Sequence, residues 1–321
     1  MSLIALISDV HGNLEALRAV LKDVEEQKAD FIYSLGDIVG YGANPRECVD
    51  LIKKNCKHSL RGNHEDAVLS EFESLPDYRE EAASSILLAR RLLQPSWLVS
   101  RNLGRQLYLK SLPSNCEEGK AMFVHGSPRD EVHEYLSSGD IIILNLNSLF
   151  LPDEMRDAYL DEPEEYEKDM SEAFLKLKEN FSIMRDASKD VCFNGHNHVP
   201  GILMDVRGRY ELVEKARRGR HKIKFLDGRE VFADEFVEDY ALIHTTSIHD
   251  KPFQLGGEKT VVNVGSVGQP RNCDPRASYF LFDEKSREIL CRRVTYDIKA
   301  AADKIRANGF PNLARRLFEG N

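Results

Sequence analysis

Residues 3–13 read Leu3-Ile4-Ala5-Leu6-Ile7-Ser8-Asp9-Val10-His11-Gly12-Asn13. The unbroken apolar run from Leu3 to Ile7 predicts a strand covered on both faces. Ser8, Asp9 and His11 end it at once, and no basic residue precedes it, so it is read as a buried strand and not as a secretory leader. Asn13 is placed to cap a helix whose apolar stripe is Leu14, Leu17, Leu21 and Val24.

Outward from this unit the alternation continues. Phe31 to Leu35 reads as a second strand. Asn44, Pro45 and Glu47 supply a cap, a proline at the first helical position and a third-position acid, with Val49, Leu51 and Ile52 as the buried face. Strands are expected to end at His125 (AMFVH) and near Asn194 (VCFN), with helices around Glu80 to Leu93 and Glu164 to Phe181. The later segments TVVNV, SYFLF and EILCRRV are rich in β-formers. Asp297 to Asn308 closes as a helix, with Gly309 as its cap. Strand–helix alternation followed by further strands predicts an α/β fold with mixed sheets.

The chain is read as one domain over residues 1–321, with insertions at about 139–185 and 203–250. The first contains IIILNLNSLFL (141–151), read as internal packing or an oligomer contact. The second contains the basic run ARRGRHKIK (216–224), read as a solvated hairpin, with guidance of an anionic substrate as the competing reading.

Hydrophobic residues make up 42% of the chain and charged residues 30%, which excludes a disordered protein. No apolar run reaches the roughly 18 residues of a membrane-spanning helix. The six cysteines form no CxxC pair, so no thiolate metal site is expected, and they are read as reduced thiols of a cytoplasmic protein. A net charge of −9 disfavours non-specific nucleic-acid binding.

The chemistry lies in SDVHGN, GDIVGYG, RGNHE, VHGSP and GHNH. Of ten histidines, His11, His64, His125, His196 and His198 fall inside these motifs, which argues for a site rather than scattered surface imidazoles. Asp9 and His11, two apart on extended backbone, are expected to point to the same side. Asp37 is placed to bridge two ions, and Asn63, His125, His196 and His198 add an amide oxygen and three imidazoles. These seven groups suffice for two divalent metals, and His64 is left over for acid–base work. Singly, each motif has a plain alternative: a capping acid, a turn with a surface histidine, or a satisfied core histidine. The metal reading rests on their occurring together.

The set resembles the calcineurin-like metallophosphoesterases. That family's Asp-x-His, Gly-Asp, Gly-Asn-His-Asp/Glu, His-Gly and Gly-His-x-His pattern is filled here by Asp9-Val10-His11, Gly36-Asp37, Gly62-Asn63-His64-Glu65, His125-Gly126 and Gly195-His196-Asn197-His198. The stretch NVGSVGQPRNCDPRASY (263–279) is similar to a bacterial and archaeal branch of small phosphoesterases. The resemblance implies a four-layer α/β/β/α sandwich of two mixed sheets. It assigns Asp9, His11, Asp37 and His198 to one metal, and Asp37, Asn63, His125 and His196 to the other.

It also implies hydrolysis of phosphomonoesters or phosphodiesters by a hydroxide bridging the metals, with His64 protonating the leaving oxygen. Mixed oxygen and nitrogen donors suit Mn, Fe, Ni, Co or Zn. The expected substrate is small and phosphorylated or nucleotide-like. A nuclease of the same superfamily is the second reading. A non-catalytic scaffold is the third, and it is disfavoured because every ligand position is filled. Protein phosphatases sharing the RGNHE box carry an arginine where this chain has Val39-Gly40-Tyr41-Gly42, which argues against that activity. Arg61, Arg271 and Arg276 are the candidate phosphate contacts, with a structural ion pair, such as Arg276 with Asp274, as the alternative.

Overall fold

In the computed structural model, strand β1 (Leu3–Ile7) lies inside a sheet and divides its side chains between two cores. Ile4 and Leu6 join an apolar cluster with Phe123, Phe193 and Met204. Ala5 and Ile7 join another with Leu17, Val20 and Val49. The period of two along a strand makes this division automatic once both faces are covered. The structure describes residues 2–71, 75, 78–96, 101–136, 163–208, 210–214, 221–237, 240–244 and 250–321.

Among the described residues the first sheet has six strands. Beside β1 stand β2 (Phe31–Ser34) and β3 (His58–Ser59) on one side, and β15 (Ala277–Asp283), β16 (Glu288–Val294) and β13 (Phe253–Gln254) on the other. β1, β2 and β3 are parallel; β15, β16 and β13 are antiparallel neighbours. Register places Leu6 opposite Tyr33 and Phe280.

The second sheet runs in the order β11 (Glu235–Val237), β12 (Tyr240–His244), β7 (Gly201–Asp205), β14 (Lys259–Asn263), β6 (Val191–Asn194), β5 (Ala121–Val124), β4 (Asn115–Glu118). Its centre, β14, β6 and β5, is parallel. Phe123 and Phe193 stack at 5.5 Å between centroids, and Phe193 meets Phe282 of the first sheet at 4.9 Å. Truncating such a ring costs about 3–5 kcal/mol.

Helices complete the layers. α1 (Leu14–Glu26), α2 (Pro45–Asn55), α4 (Glu80–Leu93) and α5 (Arg101–Lys110) cover the outer face of the first sheet. α6 (Pro163–Asp186) covers the second through Ala173, Leu177, Phe181 and Met184. The four-layer sandwich of two mixed sheets is therefore the observed fold.

Several local expectations hold. The Asn13 side chain accepts from Ala16 N at 3.1 Å and caps α1, and Asp297 caps α7 (Ile298–Ala307). Others need correction. Asn44 precedes α2 but its side chain makes no cap bond; its Oδ1 instead accepts from Lys304 at 3.3 Å. The buried face of α2 is Cys48, Val49 and Ile52, with Leu51 only half-buried. Asn63 and His64 lie in the first turn of a short helix, α3 (Asn63–Leu69). The chain does not stop at α7: α8 (Pro311–Glu319) follows, with proline at its start and Gly320 in left-handed conformation after its end.

The stretch 203–250 begins within β7 and later contributes β11 and β12 to the second sheet. Between β7 and β11, β8 (Tyr210–Glu214), β9 (His221–Phe225) and β10 (Glu230–Ala233) form a separate small sheet, and Ile223, Phe225 and Ala233 reach the inter-sheet core. The segment 141–151 and the arginines of the basic run, Arg217, Arg218 and Arg220, lie outside the described residues.

Candidate metal centre

Six strands deliver the site, all by their carboxyl ends. Asp9 follows β1, Asp37 follows β2, Asn63 follows β3, His125 follows β5, and His196 and His198 follow β6; Arg271 lies beyond β14. Ligand sites in open α/β sheets form at these ends because the chain is free there to turn and aim side chains.

The turns are tighter than expected. Asp9 and His11 are not extended: φ is 55° and 48°. Asp37 (53°), His196 (70°) and His198 (63°) are also left-handed. Each such residue costs on the order of 1–3 kcal/mol and persists only where the surroundings over-determine it. Here they do. Asp9 N, His11 N and Gly12 N donate to the carbonyls of Gly36, Asp37 and Ile38 at 3.1, 2.9 and 2.9 Å, zipping the first turn against the second.

The turns also approach closely. A Cβ on Gly62 would lie 2.1 Å from Asp37 Oδ1, and one on Gly195 would lie 2.5 Å from Asp9 Oδ2. Glu65, fully buried, holds the second turn: its carboxylate accepts from the backbone amides of Asp37 (2.8 Å), Ile38 (2.8 Å), Val39 (3.1 Å) and Gly62 (2.9 Å).

The donors converge in two groups. One ligand atom each from Asp9, His11, Asp37 and His198 lie within 4.8 Å of one another, and the same holds for Asp37, His125 and His196. Asp37 belongs to both. Asn63 Oδ1 adjoins the second group, 3.2 Å from His125 Nε2. All seven side chains are buried.

Backbone carbonyls set the imidazole tautomers. Nδ1–H of His11, His125 and His198 donates to Val39 O (3.1 Å), Leu35 O (2.9 Å) and Gln269 O (2.6 Å), leaving each Nε2 lone pair facing inward. His196 is reversed, with Nε2–H donating to His133 O at 3.0 Å.

These residues fit a bound cation. His11 Nε2 and His198 Nε2 stand 3.0 Å apart with lone pairs opposed, and Asp9 Oδ1 is buried without a hydrogen-bond partner. The protonation tendencies agree. Burial alone would raise the Asp9 carboxyl, yet His198 holds it well below the usual range; His125 and His64 do the same for Asp37. Burial depresses His11 strongly, His64 to about 4 and His196 to about 3. His125 moves the other way: against burial, Asp37 raises it to about 9. Anionic carboxylates facing mostly neutral imidazoles make a mixed oxygen–nitrogen donor set suited to divalent transition metals.

His64 stands beside both groups. Its Nε2 is 4.0 Å from Asp37 Oδ2, and its Nδ1 is buried and unpartnered. Arg271 is brought to the same cleft, where its Nη2 donates to Gln269 Oε1 (3.0 Å) and Tyr41 Oη (3.3 Å). Arg276 is not brought there. Asp274 holds it through two guanidinium nitrogens, at 3.0 and 2.7 Å, so the structural ion pair accounts for it. Arg61 is likewise paired, with Asp66 at 3.2 Å.

Sequence reasoning missed three tyrosines. Tyr41 wedges against His11 (4.5 Å) and His64 (4.7 Å). Tyr78 exchanges hydrogen bonds with the side chain and carbonyl of Asn63 at 2.8 and 3.1 Å. Tyr135 stacks on His196 at 3.8 Å. Only Tyr41 lies inside a motif, the glycine-flanked turn of GDIVGYG.

The profile of the calcineurin-like phosphoesterases matches residues 2–200. The chain belongs to the calcineurin-like phosphoesterase family. The phosphoesterase is 35% identical to an uncharacterised protein of Methanocaldococcus jannaschii, over 99% of this chain and 98% of that one. Among solved structures, a metallophosphoesterase from Sphaerobacter thermophilus superposes with a TM-score of 0.67 at 28% identity, covering 99% of this chain and 100% of its own. A hypothetical protein from Pyrococcus horikoshii OT3 shares the fold, with a TM-score of 0.58 at 19% identity and 100% and 99% coverage. The family uses divalent metals, and the two donor groups of this phosphoesterase are where its residues could hold them. Among the described residues no helix is long and apolar enough to cross a membrane.

Proposed function

We propose that this phosphoesterase is a cytoplasmic hydrolase that cleaves a small phosphomonoester or phosphodiester with two divalent transition-metal ions. The observation that carries this reading is that Asp37 belongs to both donor groups, so one carboxylate can be shared by two ions. When bound, such ions would neutralise the anionic ester and acidify a water molecule, supplying the nucleophile.

The chain's own residues do the rest. Asp9, His11 and His198 hold one position; Asn63, His125 and His196 hold the other. Arg271, with its guanidinium braced by Gln269 and Tyr41, presents its remaining donors to phosphoryl oxygens. His64 protonates the leaving oxygen or stabilises the charge that develops on it. The cleft above the centre, about 1190 Å³, admits a substrate larger than phosphate itself.

Metal analysis coupled to a screen of monoesters, diesters and nucleotides tests this. A saturated, active preparation is expected to hold about two transition-metal ions per chain. An active preparation that never exceeds one metal would sink the dinuclear reading.

Arg271→Ala is expected to weaken substrate handling by about tenfold or more, through KM or kcat/KM, with metal content unchanged. Steady-state kinetics indistinguishable from the parent chain would return Arg271 to a purely structural role.

A further inference from the structure

The same cleft carries charge that a single phosphate does not use. Of its acidic wall residues, Asp37 belongs to the metal centre, Asp66 pairs with Arg61 and His133, Glu319 pairs with Arg315 at 3.6 Å, and Glu81 accepts from Asn312 Nδ2 at 2.9 Å while keeping its charge. Three arginines remain, Arg79, Arg271 and Arg316, and none pairs with an Asp or Glu side chain among the described residues. In a chain of net charge −9, three guanidinium groups gathered around one cavity run against the overall balance.

Arg316 does not sit there loosely. It projects from α8, which Leu313, Ala314 and Leu317 fix against Ala301, Ala302 and Ile305 of α7, with Tyr41 packed on the same cluster. The residue after α8 is tied to the loop carrying Arg271, through Cys273 N donating to Gly320 O at 2.8 Å. Arg316 Nε donates to Asn321 O at 2.7 Å, which orients the half-buried guanidinium. Burial and the Arg271 charge both disfavour its cationic form, with Arg79 adding to them and Tyr41 and Glu81 opposing. Holding like charges together in a partly buried cleft is unfavourable until an anion arrives. The cavity, about 1190 Å³, also exceeds what one phosphoryl group fills.

We propose that Arg316 and Arg79 form a second anion subsite, so that the substrate carries a second phosphoryl group beyond the ester it loses. This rests on the phosphoesterase reading, in which the metal centre and Arg271 take the scissile group.

The probes are alkane-diol bisphosphates of two, four and six carbons and the matching alkyl monophosphates. Calorimetry measures their binding to the full chain loaded with Mn²⁺. At least one bisphosphate is expected to bind about tenfold or more tighter than its monophosphate. Arg79→Ala/Arg316→Ala should shrink that ratio to about twofold or less, whereas Arg316→Lys should keep most of it because charge is retained. Circular dichroism and thermal unfolding confirm that the variants fold.

Equal affinity for mono- and bisphosphates at every length, or a ratio that survives in the folded double variant, overturns the subsite. Failure of the underlying reading looks different: a metal-loaded chain that discriminates the two ligand classes yet hydrolyses no phosphoester. That result would also overturn the subsite's role in substrate binding.

Discussion

His64→Ala is expected to lower turnover by about 10²–10⁴ while both metals stay bound. The imidazole is buried and packs edge-on against His11 at 4.6 Å and Tyr78 at 5.5 Å, so its orientation is fixed. Its backbone N–H donates to Asp37 Oδ1 at 2.9 Å, which ties its position to the carboxylate common to both donor groups. The other seven donors need no eighth. A group placed there and spare from coordination is suited to protonate the departing oxygen.

The loss should therefore shrink for esters with good leaving groups, which need little protonation. His11→Ala removes the same chemical group from a different place. It takes away an Nε2 that faces Asp9, Asp37 and His198, so metal should be lost together with activity. Metal analysis and a leaving-group series on both variants separate the two roles. If His64→Ala also sheds metal, or cleaves poor-leaving-group esters at the parent rate, the assignment to proton transfer is wrong.

Glu65→Ala is expected to cost about 3–5 kcal/mol of stability, a large part of the roughly 5–15 kcal/mol that holds a domain folded. Its carboxylate is the acceptor for the amides of Asp37, Ile38, Val39 and Gly62. Removal leaves buried donors unpaired, and each costs about 1–3 kcal/mol before relaxation. Burial and the Asp37 carboxylate push Glu65 up to about 8, against the opposing pull of the amide donors.

Glu65→Gln tests the positioning role separately. The carboxamide keeps the size but can satisfy fewer of the four donors, so metal affinity should fall more than the fold is weakened. Thermal unfolding of the metal-free chain gives the stability loss, and metal titration gives the affinity. A Glu65→Ala protein that melts within a degree of the parent and binds metal equally well would show that the clamp is dispensable.

Much of this protein was legible without coordinates. Leu3 to Ile7 announced a doubly covered strand because alternate side chains enter two different cores. The donor set was legible because each ligand type sits in a short glycine-containing motif just after a strand. Local chemistry at helix ends was partly legible: Asn13 caps as read, but Asn44 does not, since Lys304, 260 residues away, competes for its oxygen. The second terminal helix was missed although Pro311 and Gly320 mark its ends. Leu313, Ala314 and Leu317 also give it an apolar face, so the signal was present in a segment of only nine residues.

The sequence by itself determined the fold class, the strands that lead to the site and the chemical identity of the ligands, because these depend on neighbours within a few residues. Tertiary structure alone decided how the donors meet. His11 and His198 are 187 residues apart, and their nitrogens come within 3.0 Å only because strands of two different sheets end at one place. The left-handed turns at Asp9, His11, Asp37, His196 and His198 exist because surrounding hydrogen bonds outweigh the intrinsic preference for extended backbone. The fates of two arginines five positions apart were decided in the same way. Arg276 met Asp274 within its own loop, whereas Arg271 met Tyr41, 230 residues earlier in the chain, and so faces the cleft.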